Sequence, residues 1–181
     1  MQPIILPYNN VYPVLDPTTL LLPGCVVVGD VVIGERSSVW FNCVVRGDVH
    51  SIRIGSRTNI QDLTMLHVTN GRFPLTIGDD VTIGHRAIVH GCTIESNVLV
   101  GMGAILLDGS IVGSGSIVAA GAVVREGQHI PPGVLAAGVP AKIVRQLSED
   151  ERDAIPRIAA QYVEYAERYR SIFVSTVEVS R

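Results

Sequence analysis

The sequence predicts a triangular β-helix, in which short strands wind into stacked coils, followed by one C-terminal helix. Three observations predict this fold class. Aliphatic residues recur every six positions, small residues keep a fixed place between them, and a helix-capping sequence follows the last repeat. An amphipathic helix would need apolar spacings of three and four, so a strict period of six indicates a solenoid.

The six-residue phase runs from residue 21 to residue 136. It is interrupted by three extra residues at 51–53, by five at 72–76, and by one shortened unit. Leu, Val or Ile fills 18 of its 19 positions, and a valine-rich β-sandwich would have no reason to keep such a phase. The positions are Leu21, Val27, Ile33, Val39, Val45, Ile54, Ile60, Leu66, Ile77, Ile83, Val89, Ile94, Val100, Leu106, Val112, Val118, Val124, Ile130 and Ala136.

Each unit is interpreted as one short strand plus a turn, and three units should make one coil. Stacked coils lie about 4.8 Å apart, the spacing of neighbouring strands. Glycine often follows the inward aliphatic residue directly. A small residue usually stands four places after it, where a tight corner leaves no room for a large side chain. These small residues are Cys25, Ser37, Cys43, Thr58, Ala87, Ala104, Ser110 and Ala122.

The repeat divides the chain into three parts. Residues 1–20 carry four prolines and are predicted to form an irregular segment over the first coil, and residues 21–141 form the β-helix. Residues 148–173 are predicted to be a helix packed on the solenoid, because Ser148 and Glu151 make a capping box. The face of this helix that should dock carries Ile158, Tyr162, Tyr165 and Tyr169.

Composition excludes several classes of protein. The formal charge of −3 and the lack of a basic cluster predict no nucleic-acid partner. No segment reaches the roughly 18 apolar residues of a membrane span, and the N-terminus does not resemble a secretory signal. Three cysteines are an odd number with no zinc-finger spacing. We therefore expect a soluble, cytoplasmic protein with reduced thiols.

The repeat phase places three histidines. Arg46, His67 and His90 each follow an inward aliphatic residue on the second face of the triangle, so they form one column through successive coils. His85 occupies a different slot on the first face, with Asp62 one coil below it. A neighbour around a threefold axis would bring its first face against this column. The phase thus predicts a metal site shared between subunits of a homotrimer.

Three imidazoles with a fourth position open to water are typical of catalytic zinc, and iron(II) or cobalt(II) would also suit these ligands. The alternative is that His85 and His90 are exposed turn residues and that His67 begins a loop. Cys92 lies in the turn after His90 and is not predicted to be a ligand. The remaining histidines have no partner in the column and are expected at the surface: His50 and His129.

Several segments resemble the gamma-class carbonic anhydrase family over nearly the whole chain. They are Arg46–Asp48, Asn59–Asp62, His67 and Gly84–Cys92. The resemblance implies a left-handed parallel β-helix, a homotrimer, and reversible hydration of carbon dioxide to bicarbonate by a metal-bound hydroxide. It implies that two ligands, His67 and His90, come from one chain and that His85 comes from its neighbour.

The resemblance also implies roles for five other residues. Arg46, Asp48 and Asp62 would form an ion-pair network across the interface, which could equally be a purely structural salt bridge. Gln61 is similar to the family residue that orients the metal-bound water or bicarbonate. Tyr162 resembles a helix tyrosine near the site in bacterial relatives, and simple packing of the helix explains it equally well.

The sequence departs from the archaeal prototype of this family. Val49 stands where the prototype has glutamate, and the loop at 68–74 contains no carboxylate to move protons. It resembles a short-loop bacterial branch whose activity varies, so we expect slow turnover. Two other functions stay open. One is an acyltransferase or thioesterase acting on a coenzyme A ester, and the other is a non-catalytic metal-binding assembly module.

Overall fold

The computed structural model describes the backbone of residues 2–179 and the side chains of residues 2–172. No helix in this part of the chain is long and apolar enough to cross a membrane. The elements are β1 (Ile4–Leu6), β2 (Val14–Leu15), β3 (Leu20–Leu21), β4 (Val26–Ile33), β5 (Ser38–Val39), β6 (Val44–Ile54), β7 (Asn59–Ile60), β8 (Met65–His67), β9 (Leu75–Ile77), β10 (Thr82–Ile83), β11 (Ile88–His90), β12 (Thr93–Ile94), β13 (Leu99–Val100), β14 (Ile105–Leu106), β15 (Ile111–Val112), β16 (Ile117–Val118), β17 (Val123–Val124), β18 (His129–Ile130), β19 (Val134–Ala137), β20 (Lys142–Gln146) and α1 (Glu149–Val179).

The strands wind into a left-handed parallel β-helix with three faces, which confirms the predicted fold class. On each face an inward aliphatic residue pairs with its equivalent one coil away. The first face stacks Leu21, Val39, Ile60, Ile83, Val100, Val118 and Ala136. The second stacks Val27, Val45, Leu66, Val89, Leu106 and Val124. The third stacks Ile33, Ile54, Ile77, Ile94, Val112 and Ile130.

Both insertions leave this register intact. The three extra residues lie within β6, which continues around the corner between the second and third faces. The five extra residues begin in a short turn after β8, which is closed by an antiparallel bridge between Thr69 and Phe73, and the last two of them begin β9. Val89 therefore still pairs with Leu66 after the second insertion. Insertions at corners lengthen the turn without shifting the ladder, so the column of histidines is preserved.

The two kinds of small residue in the repeat have different structural causes. The predicted corner residues are all buried; Cys25, Cys43, Ala87 and Ala104, for example, have no exposed surface. Glycine after the inward aliphatic residue has another cause, which is close approach of the next coil. A Cβ atom on Gly84 would lie 2.7 Å from the backbone nitrogen of Met102. A side chain there would push apart the coils that carry His85.

The C-terminal helix packs on the first face of the β-helix. Its capping box is formed, since Ser148 N donates to Glu151 Oε2 (2.9 Å) and Glu151 N donates to Ser148 Oγ (3.2 Å). Strand β20 runs antiparallel to β19 and covers the end of this face. The helix contacts β5, β7 and β10. A second apolar cluster lies between helix and sheet, formed by Leu20, Leu22, Trp40, Phe41, Tyr162, Tyr165, Ala166 and Tyr169.

Two predicted boundaries differ from the structure. The segment 1–20 is not wholly irregular, because β1 pairs with Val26–Val28 and β2 pairs with Val32–Ile33. The open edge of the first complete coil carries unpaired backbone groups, and these short strands satisfy them. The helix extends to Val179, six residues beyond its predicted end at 173.

The inward ladder predicts a large difference between neighbouring residues on β18. Ile130→Ala should lower the free energy of unfolding by about 3 kcal/mol, because it removes a buried side chain stacked on Val112. His129→Ala, on the exposed face of the same strand, should change it by less than about 0.5 kcal/mol. Urea unfolding at one fixed protein concentration measures both. Equal effects would contradict the assignment of inward and outward residues.

Candidate metal centre

Two histidines face each other on the second face of the β-helix. Strands β8 and β11 pair in parallel, and the register sets His90 directly against His67. The ring centroids are 5.0 Å apart, and His67 Nδ1 lies 3.0 Å from His90 Nε2. Pairing of Val45 with Leu66 places Arg46 in the same column, one coil below. The predicted column is confirmed.

A carboxylate holds the outer nitrogen of each of these rings. His67 Nε2 lies 3.1 Å from Asp48 Oδ1, and His90 Nδ1 lies 2.5 Å from Asp108 Oδ1. Asp48 also forms an ion pair with Arg46 of the same chain, and the predicted network across the interface stays a prediction. Histidine ligands of metals commonly donate their second N–H to such a carboxylate, which fixes the ring and its tautomer.

Both carboxylates are ionised at neutral pH. Partial burial raises the pKa of Asp48, but hydrogen bonds from Arg46 and His67 outweigh it and lower that pKa below its usual value. Burial likewise raises the pKa of Asp108, but hydrogen bonds from Thr69 and His90 outweigh it and lower that pKa below its usual value. An ionised carboxylate only accepts hydrogen bonds. The ring nitrogens facing Asp48 and Asp108 must therefore be the protonated ones.

This arrangement leaves two lone pairs pointing at each other. Burial lowers the pKa of His67, which keeps its ring neutral at physiological pH. In neutral rings protonated at Nε2 of His67 and at Nδ1 of His90, the two facing nitrogens, which lie 3.0 Å apart, are both acceptors. Acceptors in contact repel unless a cation lies between them. Tetrahedral zinc, with bonds of about 2.0–2.1 Å, holds two nitrogens about 3.3 Å apart, so a slight opening of the pair fits it.

His85 lies elsewhere, as its slot in the repeat predicts. It follows β10, and its Nδ1 is 2.7 Å from Asp62 Oδ2. Pairing of Ile83 with Ile60 sets Asp62 one coil below it. Among the residues whose side chains are described, no three His, Cys, Asp or Glu residues converge within one chain to hold a metal. The three histidines are thus divided between two places, and a pairing of Asp62 with a neighbour's Arg46 stays a prediction.

Gln61 occupies a fixed position beside Asp62. Its side chain is buried, and Nε2 donates to Asn59 Oδ1 at 3.2 Å. Asn59 is held in turn, because its Nδ2 donates to Thr82 Oγ1 at 2.9 Å. Oε1 of Gln61 accepts no hydrogen bond from the side chains and backbone described here. A rigid amide with a free acceptor suits the orienting role that the resemblance implies.

Tyr162 lines a cleft next to His85. The cleft has a volume of about 370 Å³ and is bounded by Trp40, Phe41, Asp62, His85, Tyr162, Tyr165 and Tyr169. Tyr162 also packs edge-on against Trp40, with ring centroids 5.3 Å apart. Burial, followed by the charge of Asp62, raises the pKa of Tyr162. Its position is therefore compatible with both predicted roles, packing and a place at the site.

Asp108 and its partner Thr69 were missed by the sequence analysis. The signal was available, since Asp108 stands two places after Leu106, which stacks on Val89 one coil above the histidine pair. Cys92 is buried, and burial raises the pKa of its thiol to about 12, so it stays a thiol. This agrees with its exclusion as a ligand.

The fold and site define a class of protein, the hexapeptide-repeat β-helices that carry a histidine pair on one face. The family pattern "Bacterial transferase hexapeptide (six repeats)" matches residues 91–126. The product of the BC4754 gene of Bacillus cereus has a solved structure with TM-score 0.92, 43% identity, and coverage of 94% of this chain and 98% of that one. The structure of a hexapeptide transferase family protein of Anaplasma phagocytophilum matches with a TM-score of 0.88 and 38% identity, and the match covers 92% of this chain and 98% of that one. Both structures are described as transferases.

Relatives narrow the class. A "Probable carbonic anhydrase" of Methanocaldococcus jannaschii is 55% identical, covering 82% of this chain and 92% of the relative. "Carbonic anhydrase" of Geobacillus kaustophilus is 45% identical, covering 93% and 92%. "Gamma carbonic anhydrase 2, mitochondrial" of Arabidopsis thaliana is 44% identical over 88% of this chain, which spans only 59% of that relative's length. The chain belongs to the gamma-class carbonic anhydrase family.

Proposed function

We propose that this protein is a metal-dependent carbonic anhydrase that reversibly hydrates carbon dioxide to bicarbonate at sites shared between the subunits of a homotrimer. One observation carries the proposal. The facing nitrogens of His67 and His90 lie 3.0 Å apart, and a carboxylate contacts the outer nitrogen of each ring. Such a pair is organised to bind a cation. Family membership supports the choice of reaction.

The second face supports the trimer. The residue before each inward aliphatic residue points outward there, and these residues form an apolar column of Ile4, Val26, Val44, Met65, Ile88, Ile105 and Val123. The corresponding column of the third face includes the polar residues Arg53, Thr76, Thr93 and His129. An apolar outer column beside the histidine pair, with Ile88 still 42% exposed in one chain, suits a face buried between subunits.

The proposed site takes His67 and His90 from one chain and His85 from its neighbour, leaving a fourth position for water or substrate. When bound, zinc would supply Lewis acidity, which lowers the pKa of a bound water to about 7. Asp48 and Asp108 hold the two imidazoles in the tautomers that keep their lone pairs directed inward. Iron(II) or cobalt(II) would suit the same ligands.

Gln61, Tyr162 and Glu164 have proposed roles in orienting the substrate and in removing the proton that the reaction releases. Gln61 would place its free Oε1 toward the reacting oxygen. The raised pKa of Tyr162 keeps its phenol protonated, so it can donate a hydrogen bond but is a poor proton acceptor at neutral pH. Glu164, whose side chain is 69% exposed, and external buffer are better acceptors. Without a carboxylate in the 68–74 loop, turnover should be slow and dependent on buffer.

A second candidate function is acyl transfer or thioester hydrolysis on a coenzyme A ester. His85 with Asp62 at 2.7 Å has the form of a general base oriented by a carboxylate, and it faces the aromatic cleft. The transferase descriptions of related structures agree with this. The carboxylate-held pair of His67 and His90 has no role in that chemistry, so we favour the metal site. A non-catalytic assembly module would bind metal without turnover.

A cytoplasmic location is also proposed. Cys25, Cys43 and Cys92 are all free and buried in the described chain. Unpaired thiols are typical of proteins that work in a reducing compartment.

Removing either ligand should abolish tight metal binding. Protein purified without air should contain about one zinc or iron(II) per chain. His67→Ala or His90→Ala should weaken zinc binding by more than about 100-fold, which is more than the loss of a residue that only supports a ligand usually causes. Metal analysis and titration against a chelator measure this. His129→Ala is the control. Wild-type affinity in His67→Ala would exclude the proposed ligand set.

A charge in the apolar column should dissociate the trimer. Ile88→Asp places a carboxylate at the centre of the proposed interface, and light scattering should show monomers that have also lost metal. Thr93→Asp, the matched change on the third face, should remain trimeric. A wild-type protein that is monomeric in dilute solution with metal bound would disprove the shared site.

Gln61 should matter for turnover rather than for assembly. Gln61→Ala should lower kcat/KM for carbon dioxide hydration by about 10–100-fold while metal content and mass stay unchanged. Gln128→Ala is the control, since that amide only links Arg125 N and Ala141 O. Stopped-flow hydration assays measure both variants. A fully metallated trimer no faster than buffer would reject the reaction, and acyl transfer by metal-free protein would favour the second candidate.

A further inference from the structure

We propose that Asp108 is a positioning residue of the metal site, and that the loop after β8 (residues 68–74) holds it in place. The proposal rests on the metal site proposed above and assigns a function to a loop that contains no carboxylate. Asp108 would fix the orientation and tautomer of His90. Thr69 and Phe73, both in the loop, would fix Asp108.

Both oxygens of Asp108 are engaged by different elements. Oδ1 accepts from His90 Nδ1 at 2.5 Å, and Oδ2 accepts from Thr69 Oγ1 at 2.6 Å. A carboxylate held at both oxygens cannot rotate, so the imidazole it accepts from is also fixed. Nε2 of His90 is then left unprotonated and directed at His67, as a metal ligand requires.

The loop after β8 forms a closed hairpin, from Thr69 to Phe73, beside the contact between His90 and Asp108. Thr69 N donates to Phe73 O at 3.1 Å, and Phe73 N donates to Thr69 O at 3.3 Å. The Phe73 side chain fills space left by two glycines, since a Cβ on Gly91 would lie 2.8 Å from Phe73 Cβ and one on Gly109 would lie 2.9 Å from Phe73 Cε1. Arg72 lies over the Phe73 ring, 5.1 Å from its centroid. The hairpin is therefore anchored on the coils that carry His90 and Asp108.

The arrangement repeats the support of the other histidine. Asp48 accepts from His67 Nε2 with one oxygen and from Arg46 with the other. Each imidazole thus has its own carboxylate, and each carboxylate has its own second donor. Asp48 receives that donor from the same strand. Asp108 receives it from Thr69, in the loop that follows β8.

The test compares Asp108→Ala, Asp108→Asn and Thr69→Val with the wild type, with Asp79→Ala as control. Asp79 is also an aspartate two places after an inward aliphatic residue, but its Oδ1 accepts only from Ser56 N, away from the histidines. The first measurement is the tautomer of His90 in metal-free protein, from ¹⁵N NMR. The second is zinc affinity by competition with a chelator.

Wild-type His90 should be protonated at Nδ1. Asp108→Ala should lose this preference and bind zinc about 10–100-fold more weakly. Asp108→Asn should retain it in part, because an amide oxygen can still accept from Nδ1. Thr69→Val should lose about 2–10-fold in affinity, the value of one hydrogen bond. Asp79→Ala should match the wild type in both measurements.

An unchanged tautomer in Asp108→Ala, or zinc affinity equal to that of Asp79→Ala, would overturn the proposal. If Asp108→Ala does not fold, Thr69→Val and Asp108→Asn decide in the same way. The tautomer is read without metal, so it separates the two proposals. A wild type that binds no zinc but shows the Asp108-dependent tautomer would contradict the metal site alone.

Discussion

The structure depends on one constraint, the parallel backbone ladder that stacks each coil on the one before it at the spacing of two β-strands. Because an inward aliphatic residue must lie on its equivalent, every other position in the unit is also fixed to a column. The six-residue period thus determines which side chains can meet. Leu66 under Val89 is a packing contact, and it also sets His67 against His90.

Strand spacing alone does not make a ligand pair. Two neutral imidazoles in register could hydrogen-bond to each other, one donating to the other, and the column would then be a simple structural contact. Asp48 and Asp108 prevent this, because each ionised carboxylate takes the outer N–H of one ring. The carboxylates determine which ring nitrogens carry protons, and the backbone ladder determines the distance between the two imidazoles. Both are needed to bind a cation.

Much of this was predictable from the sequence because the ladder converts position into geometry. The faces, the histidine column and the slot shared by Asp62 and His85 follow from counting in sixes, and the docking helix follows from its capping box and apolar stripe. The strands in segment 1–20 do not, because they pair through backbone groups and carry no repeat. Asp108 was missed because it reaches His90 across coils and is held by Thr69, in the loop after β8, and neither contact follows from the repeat.

Some corner residues adopt backbone conformations that their own residue type disfavours. Leu63 has φ +62, a left-handed conformation that leucine rarely adopts, while the equivalent corners of later coils have glycine, as at Gly103 and Gly121. The early coils thus accept backbone strain in the unit that carries Gln61 and Asp62. Strain of this kind persists where surrounding structure over-determines it. The backbone ladder on both sides of this coil supplies that structure. The coil can therefore keep Gln61 and Asp62 even though the next corner residue is a leucine in a left-handed conformation.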